Sequence, residues 1–439
     1  MDAFLPPSTV PSRSGAPRLR SLAAAWLRFW PLTPTGLVLV LLATAALTWG
    51  RREMDLVLTL AGTFGLLLMG VVGLATLAVR VLFARTLARS LAETPGNLEG
   101  IEGRALATGL ELPRRRWWLA AEPEWTLHRP PADVKIHKGR RTLREYARPA
   151  DRGRGEGLRR EYRVEDLFGL WRLKGRADSD GPWRVLPDLG GFDAARLESS
   201  LASGDLLSHP WGPARGDLVD ARSYTRSDPA RLILWKVYAR SRELLVRAPE
   251  TARSPERQPL IYLVAGDGDN PAAALMRLII ESGLFGAGVR FAADGRPTPV
   301  EDRAAAIEAV ALSAAHRNRG GVDLAAALGH PLIGSDDPVV LVCPALEGGW
   351  TRPVIRHLEA DPGRFFVFVA ADVAPDPPPR TRWQRWMLLP DPPAGLPRPS
   401  WLAMARRLAG TGASCVAADR RSGELLALSG GHATLGRTA

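Results

Sequence analysis

The chain has 439 residues, of which 46% are hydrophobic and 24% charged, which excludes disorder throughout and a protein made mostly of membrane spans. The net charge of +12 resides in the N-terminal part, because residues 256–439 carry 19 basic and 19 acidic side chains. That distribution argues against a nucleic-acid partner bound in a basic C-terminal cleft. Two cysteines, Cys343 and Cys415, are too few for a disulfide framework and favour a reducing compartment.

Two long uncharged stretches near the N-terminus predict a transmembrane helical hairpin. They run from Leu32 to Trp49 and from Leu56 to Val79. As helices they are about 27 and 36 Å long, enough for a hydrocarbon core of about 30 Å. Both exceed the apolar core of a signal peptide, which is about 7–15 residues. We therefore predict a flexible cytoplasmic tail over residues 1–31 and a two-helix membrane anchor over 32–83.

Arginines on the outer flanks of the hairpin predict its orientation. Those before the first span are Arg13, Arg18, Arg20 and Arg28, and those after the second are Arg80, Arg85 and Arg89. The positive-inside rule then places both ends of the hairpin, and the bulk of the chain, in the cytoplasm.

Residues 100–200 predict a small antiparallel, β-sandwich-like domain. Short apolar or alternating runs such as DVKIH and RTLREYA are separated by proline, glycine and charged clusters. Its arginine-rich faces, at Arg114–Arg116, Arg140–Arg141 and Arg159–Arg160, could contact anionic membrane lipid. Because acidic residues are interleaved with these arginines, we favour an ordinary solvated surface.

Residues 256–439 predict a doubly wound α/β domain. Continuous apolar strands such as LIYLVA, VVLVC and RFFVFVA alternate with segments of helical periodicity, as in a parallel sheet covered on both faces. Ligands of such sheets bind at the carboxyl ends of the strands. We therefore expect any site at the loops Gly266–Pro271, Pro344–Gly349 and Ala371–Pro379.

Between these two parts lies a segment, residues 205–250, with an unusual density of alternating charges. Arginines and aspartates at this spacing favour a paired network, and an interleaved tryptophan offers a stacking face for a guanidinium. The candidate network residues are Asp217, Asp220, Arg222, Tyr224, Asp228, Arg231, Trp235 and Arg240.

This segment, together with the upstream element EDLFGLW (Glu165–Trp171), resembles the signature of the bacterial "domain of unknown function 58" family. The order of parts, a membrane hairpin, a β-domain, the signature and a von Willebrand factor A-like α/β domain, is similar as well. Two positions depart from the pattern: Ser227 replaces a glycine, and Leu234 replaces a polar residue. The resemblance implies a protein of the bacterial inner membrane that is the partner of a MoxR-type AAA+ ATPase, with no established enzymatic activity.

The resemblance also raises the question of a metal site. A metal-binding von Willebrand A domain carries D-x-S-x-S after its first strand, where oxygen ligands hold Mg²⁺. In this sequence Ala265 stands at the aspartate position, and Asp267 and Asp269 stand at the serine positions. The fourth strand runs into Cys343 instead of an aspartate. We favour a simple turn over a residual divalent-cation site, and we expect no other cofactor.

No catalytic motif is present in the sequence: there is no phosphate-binding loop G-x-x-x-x-G-K-[ST], no H-E-x-x-H, no C-x-x-C and no G-x-S-x-G. We expect Cys343 and Cys415 to be small core residues rather than nucleophiles. The favoured function is that of a membrane-anchored adaptor for the ATPase. The alternatives are a self-assembling membrane scaffold, which would be a homo-oligomer, and a membrane-proximal hydrolase that uses the Arg/Asp network.

Overall fold

The structure is a computed structural model that describes residues 31–94, 97–115, 121–202, 220–223, 235–242, 245–248, 258–286, 288–375 and 395–428. The chain forms two compact units that are interleaved in sequence. The first, the β-unit, comprises residues 1–98, 105–150 and 156–183, and the second, the α/β unit, comprises residues 99–104, 151–155 and 184–439. The predicted tail, residues 1–31, lies almost wholly outside the described residues.

Two apolar helices begin the described chain. Helix α1 (Pro34–Arg52) starts after Thr33, whose side chain accepts a hydrogen bond from the Gly36 amide, and helix α2 (Leu56–Glu93) starts after Asp55, whose carboxylate caps its first turn. Both are long and apolar enough to cross a membrane. The second continues about ten residues past the predicted end of the anchor at residue 83.

The two halves of α2 have different surroundings. Large apolar side chains of the first half are exposed, for instance Phe64 at 64% and Leu67 at 66%. In the second half, side chains four residues apart are buried in the core of the β-unit: Val79, Phe83, Leu87 and Leu91. This spacing places them on one face of the helix. One continuous helix therefore has a first half with exposed apolar side chains and a second half that belongs to the core of the β-unit.

The β-unit is built on one sheet of seven strands in the order β1-β7-β6-β3-β4-β5-β2, in which the neighbours from β6 to β2 pair antiparallel. The strands are β1 (Leu98–Ile101), β2 (Leu106–Pro113), β3 (Glu124–Arg129), β4 (Ala132–Lys138), β5 (Thr142–Pro149), β6 (Gly153–Glu165) and β7 (Arg172–Leu186). Leu110 of β2 and Tyr162 of β6 belong to one core cluster, although a flat sheet would separate these strands by about 19 Å. The sheet therefore curls around its core, where we predicted a sandwich.

A fully buried ion pair crosses the core of the β-unit. The Glu145 carboxylate accepts hydrogen bonds from Arg160 Nη2 at 2.7 Å, Trp125 Nε1 at 2.9 Å and Thr108 Oγ1 at 2.5 Å. The side chains of Arg160 and Glu145 are 1% and 0% exposed. Because both oxygens of the Glu145 carboxylate accept hydrogen bonds and Arg160 carries the opposite charge, the burial of this charge is compensated.

The α/β unit contains a second seven-stranded sheet, in the order β12-β11-β10-β13-β14-β15-β16. The strands are β10 (Leu260–Leu263), β11 (Arg290–Ala293), β12 (Arg296–Val300), β13 (Val339–Pro344), β14 (Phe365–Ala371), β15 (Ser414–Asp419) and β16 (Leu425–Leu428). The five strands from β11 to β15 are parallel, and β12 and β16 are antiparallel edges. Numbered in chain order, the five parallel strands run 2-1-3-4-5 across the sheet, which is an order of doubly wound sheets.

Helices cover both faces of this sheet. They are α3 (Ala194–Ala202), α5 (Asn270–Ser282), α6 (Arg303–Ser313), α7 (Leu324–Leu328), α8 (Thr351–Ala360) and α9 (Arg398–Ala409), with short 3-10 helices at Ala314–Arg319 and Pro362–Arg364. In β13, Leu341 packs into the core under α8 and α9, and Val342 into the core under α5 and α6. The mixed α/β class is confirmed. Phe192 and Leu197 join the second core, although we placed residues 100–200 in the β-rich domain.

The signature segment is described only in part. Strands β8 (Asp220–Ser223) and β9 (Leu245–Ala248) form an antiparallel two-stranded ribbon in which Arg222 lies opposite Val246. Helix α4 (Trp235–Ser241) lies between them in sequence.

Candidate functional site

The carboxyl ends of the parallel strands carry a network of arginines and carboxylates, at the edge where α/β sheets bind ligands. Asp269 follows β10, Asp372 follows β14 and Arg420 follows β15. The segments 99–104 and 151–155, which belong to this unit, contribute Glu102, Asp151 and Arg152. Two of the three predicted loops therefore hold network residues.

Asp269 and Arg152 form the centre of the network. The guanidinium binds the carboxylate in a bidentate manner, with Nη1 at 2.6 Å from Oδ1 and Nη2 at 3.0 Å from Oδ2. Both side chains are 0% exposed. Arg152 also donates to the Val310 carbonyl at 3.2 Å and to Ser313 Oγ at 2.8 Å. The planar fork of arginine suits this two-point contact, which a lysine could not make.

Arg317 and Asp151 extend the network on one side. Arg317 Nε donates to Asp269 Oδ1 at 2.8 Å, and its Nη1 and Nη2 atoms both bind the Asp151 carboxylate. Burial alone would raise the pKa of Asp151, but the hydrogen bonds and charge of Arg317 outweigh it and hold that pKa below its ordinary value. Two guanidinium groups and two carboxylates thus form a neutral tetrad.

Asn270 connects this tetrad to a second group at the same edge. Its Oδ1 accepts from Arg152 Nη1 at 3.1 Å, and its Nδ2 donates to Glu102 Oε1 at 2.9 Å. Glu102 in turn accepts from Arg420 Nη1 at 3.2 Å, and Arg420 binds Asp372 in a bidentate manner at 2.8 and 2.6 Å. Burial raises the pKa of Glu102, although the charge of Arg420 partly opposes the shift.

The contacts of Asp269 determine what this site can bind. Its two oxygens accept from Arg152 Nη1 and Nη2, from Arg317 Nε and from the Gly266 amide at 3.1 Å. A carboxylate offers about four lone-pair positions, so no acceptor position of Asp269 remains for a metal ion. Asp267, the other predicted ligand, is exposed, whereas Asp269 is fully buried. A guanidinium thus occupies the position beside Asp269 where a cation would bind.

A second buried carboxylate, that of Asp294, holds neighbouring loop segments together through hydrogen bonds. Asp294, which follows β11, accepts hydrogen bonds from the Tyr262 hydroxyl at 2.7 Å and from the backbone amides of Ala265 at 2.7 Å and Gly321 at 2.8 Å. Burial raises the pKa of Asp294, and these three donors only partly oppose the shift. Asp294 therefore ties the end of β10 to the segment after the 3-10 helix Ala314–Arg319.

The signature residues are not assembled in the described part of the chain. Asp217, Tyr224, Asp228 and Arg231 lie outside the described residues, and only the backbone is described for Asp220, Arg222 and Arg240. Trp235 is described and is 59% exposed, with its ring at 6.3 Å from that of Tyr238 in an edge-to-face arrangement. Its ring is therefore not a core element.

Both cysteines are buried in the α/β sheet, Cys343 in β13 and Cys415 in β15. Burial raises the pKa of Cys343 well above its ordinary value and that of Cys415 to about 12. A thiol that stays protonated is a poor nucleophile, which agrees with our interpretation of these residues as core residues.

Sequence reasoning missed Arg152, Arg317 and Arg420, which carry the network. No pattern marks them as partners, since Arg152 and Asp269 are far apart in sequence and only the fold brings them together. The surrounding DRGRG run (Asp151–Gly155) is one glycine-flanked cluster among many in an arginine-rich chain. No protein-family model, no curated protein and no solved structure matches this chain.

Proposed function

We propose that this protein is a member of the "domain of unknown function 58" family and is a membrane-anchored adaptor of the bacterial inner membrane. In this proposal the α/β unit is a von Willebrand A-like domain that is presented in the cytoplasm to a MoxR-type AAA+ ATPase. The ATPase would act on a membrane-associated client. The many-position resemblance of the segment 205–250 to the family signature supports the choice of family and partner.

The observation that carries the anchoring part of the proposal is the double role of α2. Its first half exposes large apolar side chains, and its second half is buried in the β-unit core through Val79, Phe83, Leu87 and Leu91. A signal sequence or an independent anchor would not be part of the core of the folded body. A force or motion transmitted through this helix would therefore reach the bilayer directly.

The closed arginine–carboxylate network supports a binding role over a metal-dependent one. The edge of the sheet at which such units usually hold a ligand is filled by the unit's own side chains, Arg152, Arg317 and Arg420. This arrangement favours a rigid surface for protein docking.

The membrane topology can be tested by cysteine labelling in intact cells. Because Cys343 and Cys415 are buried, an introduced cysteine would be the reactive one. With a membrane-impermeant maleimide, Glu53→Cys in the α1–α2 connection should be labelled from outside. The control Asp133→Cys, on an exposed position of β4, should be labelled only after the inner membrane is opened. The reverse pattern would overturn the orientation.

The partner can be tested by photo-crosslinking from native membranes, with a crosslinkable residue at the exposed position Trp235 of the full-length protein. We expect a crosslink to a hexameric AAA+ ATPase. The matched control carries the crosslinker at Glu156, an exposed position of the β-unit. Crosslinks only between copies of the chain would contradict the adaptor proposal and support the self-assembling scaffold.

A further inference from the structure

A short turn of the β-unit exposes two large apolar side chains beside the apolar helices. The turn is Asp166–Trp171, between β6 and β7, and Leu167 and Phe168 at its tip are 63% and 58% exposed. Asp166 holds the turn, because its carboxylate accepts the Phe168 amide at 2.7 Å and the Trp171 amide. Gly169 has a positive φ of 67°, which favours glycine. The hydrogen bonds of Asp166 and the backbone conformation of Gly169 therefore fix the turn with Leu167 and Phe168 exposed at its tip.

The turn is fixed to both helices at a defined height. The Trp171 indole donates to the Met69 carbonyl of α2 at 3.1 Å, and Thr33, the residue before α1, donates to the Gly169 carbonyl at 2.5 Å. A Cβ on Gly73 would lie 2.7 Å from the Trp171 ring, so the ring packs directly on the helix backbone. Hydrogen bonds and close packing thus set the position of the tip along the helices.

The position of the tip along the helices matches one boundary of the hydrocarbon core that a bilayer around α1 and α2 would have. From Leu56 to Gly73, α2 rises about 26 Å, which is close to a hydrocarbon thickness of about 30 Å. The other end of that segment is the charged connection Arg51–Asp55. If the connection lies at one surface of the bilayer, the turn Asp166–Trp171 lies at the other.

In a bilayer placed in this way, the two cations behind the turn would lie at headgroup depth. Arg80 is about 10 Å beyond Gly73 along α2, and Lys174 is about 10 Å beyond Trp171 along β7. Both line one cleft of about 500 Å³, and the Arg80 side chain donates to the Lys174 carbonyl at 3.1 Å. The acidic residues of the cleft are already paired, Glu124 with Arg163 at 2.7 Å and Glu161 with Arg176 at 2.9 Å. Among the described residues, neither Arg80 nor Lys174 has a carboxylate partner, so the cleft has a positive surplus.

We infer that the turn Asp166–Trp171 is a third membrane contact of the protein: Leu167 and Phe168 insert into the acyl boundary, and Arg80 and Lys174 bind the headgroup of an anionic phospholipid. The inference rests on the proposed membrane anchoring. Large apolar side chains at the interface, flanked by cations, are the composition that favours insertion into anionic bilayers. The contact would hold the β-unit against the bilayer surface in addition to the two spans.

The insertion can be tested with the full-length protein in lipid nanodiscs. Phe168→Cys is labelled with a polarity-sensitive fluorophore, and the matched control is Glu156→Cys at the far end of β6, which is exposed. We expect the label at 168 to be quenched by lipids spin-labelled near the top of the acyl chain and protected from iodide, and the label at 156 to show the opposite. Equal iodide quenching at both positions would overturn the insertion.

The headgroup part is tested in the same discs with spin-labelled phosphatidylglycerol and phosphatidylcholine at equal content. Each surface cation attracts anionic lipid about fivefold, so we expect the anionic quencher to be several-fold more effective at position 168. The variants Arg80→Gln and Lys174→Gln should each reduce this preference, and together abolish it. A preference that survives in the double variant would refute the headgroup site. Failure of the protein to enter discs would instead refute the anchoring, so the two outcomes are distinct.

Discussion

Replacement of Arg152 by methionine should destabilise the α/β unit more than any surface change. The side chain is 0% exposed and makes five contacts of 2.6–3.2 Å, to Asp269, Asn270, Ser313 and the Val310 carbonyl. Methionine preserves much of the volume but leaves the Asp269 carboxylate buried and short of a partner. Removing one member of a buried ion pair costs about 3–5 kcal/mol. Because Arg317 still donates to Asp269 Oδ1, we expect Arg152→Met to lower the free energy of unfolding by about 3–4 kcal/mol.

Native-state hydrogen exchange, followed by mass spectrometry on peptides of β13 and β14, measures this unit without interference from the other. A loss of about 3–4 kcal/mol corresponds to exchange that is roughly 150- to 700-fold faster in these strands. The matched control is Arg154→Met, which removes the exposed pair with Glu308 and should change the stability by less than about 1 kcal/mol. The double variant Arg152→Met/Asp269→Asn should exchange more slowly than Arg152→Met, because no buried charge is left uncompensated.

Hydrogen exchange in Arg152→Met at the rate of Arg154→Met would refute the expected role of the buried pair. That result would mean that Asp269 finds water or another donor at little cost, and that the network does not hold the loops. Calorimetry with Mg²⁺, Mn²⁺ and Ca²⁺ on the unsubstituted protein provides a second check. We expect no binding that depends on Asp267 and Asp269, and millimolar or tighter binding that is lost on Asp269→Ala would show that the guanidinium can be displaced.

Arg160→Met should destabilise the β-unit by about 3–5 kcal/mol, read by hydrogen exchange in β5 and β6, because it leaves Glu145 buried without its partner. Trp235→Ala should change the stability by only about 0.5 kcal/mol in urea unfolding, because the ring is 59% exposed; a loss of several kcal/mol would show that the ring is packed in a core. Because burial raises the pKa of Asp294 in the folded protein, protonation of this carboxyl stabilises the fold. The stabilisation is complete below the ordinary carboxyl pKa of 3.8 and is lost as the pH rises through the raised value. Asp294→Asn should remove this dependence of the stability on pH.

The hydrophobic pattern of the sequence determined the secondary structure of most of the described chain. The runs that predicted buried strands appear as β10, β11, β13, β14 and β15, and the helical segments between them appear as α5, α6, α8 and α9. The two long uncharged stretches appear as helices α1 and α2, as predicted, and both are long and apolar enough to cross a membrane. The edge strands β12 and β16 were missed. The sequence of β12, RPTPV, contains two prolines and therefore predicts a loop, but an edge strand tolerates proline.

What only the tertiary structure decided is the identity of the groups that meet at the carboxyl edge of the sheet. The sequence placed Asp267 and Asp269 together as candidate ligands, but the fold exposes the first and buries the second against Arg152. It also decided which part of α2 is buried, since Val79, Phe83, Leu87 and Leu91 pack in the core of the β-unit while large apolar side chains of the first half are exposed. Both outcomes have the same physical reason. Local periodicity records which side chains avoid water, whereas the partner of a buried charge and the surroundings of an apolar helix are set by residues distant in sequence.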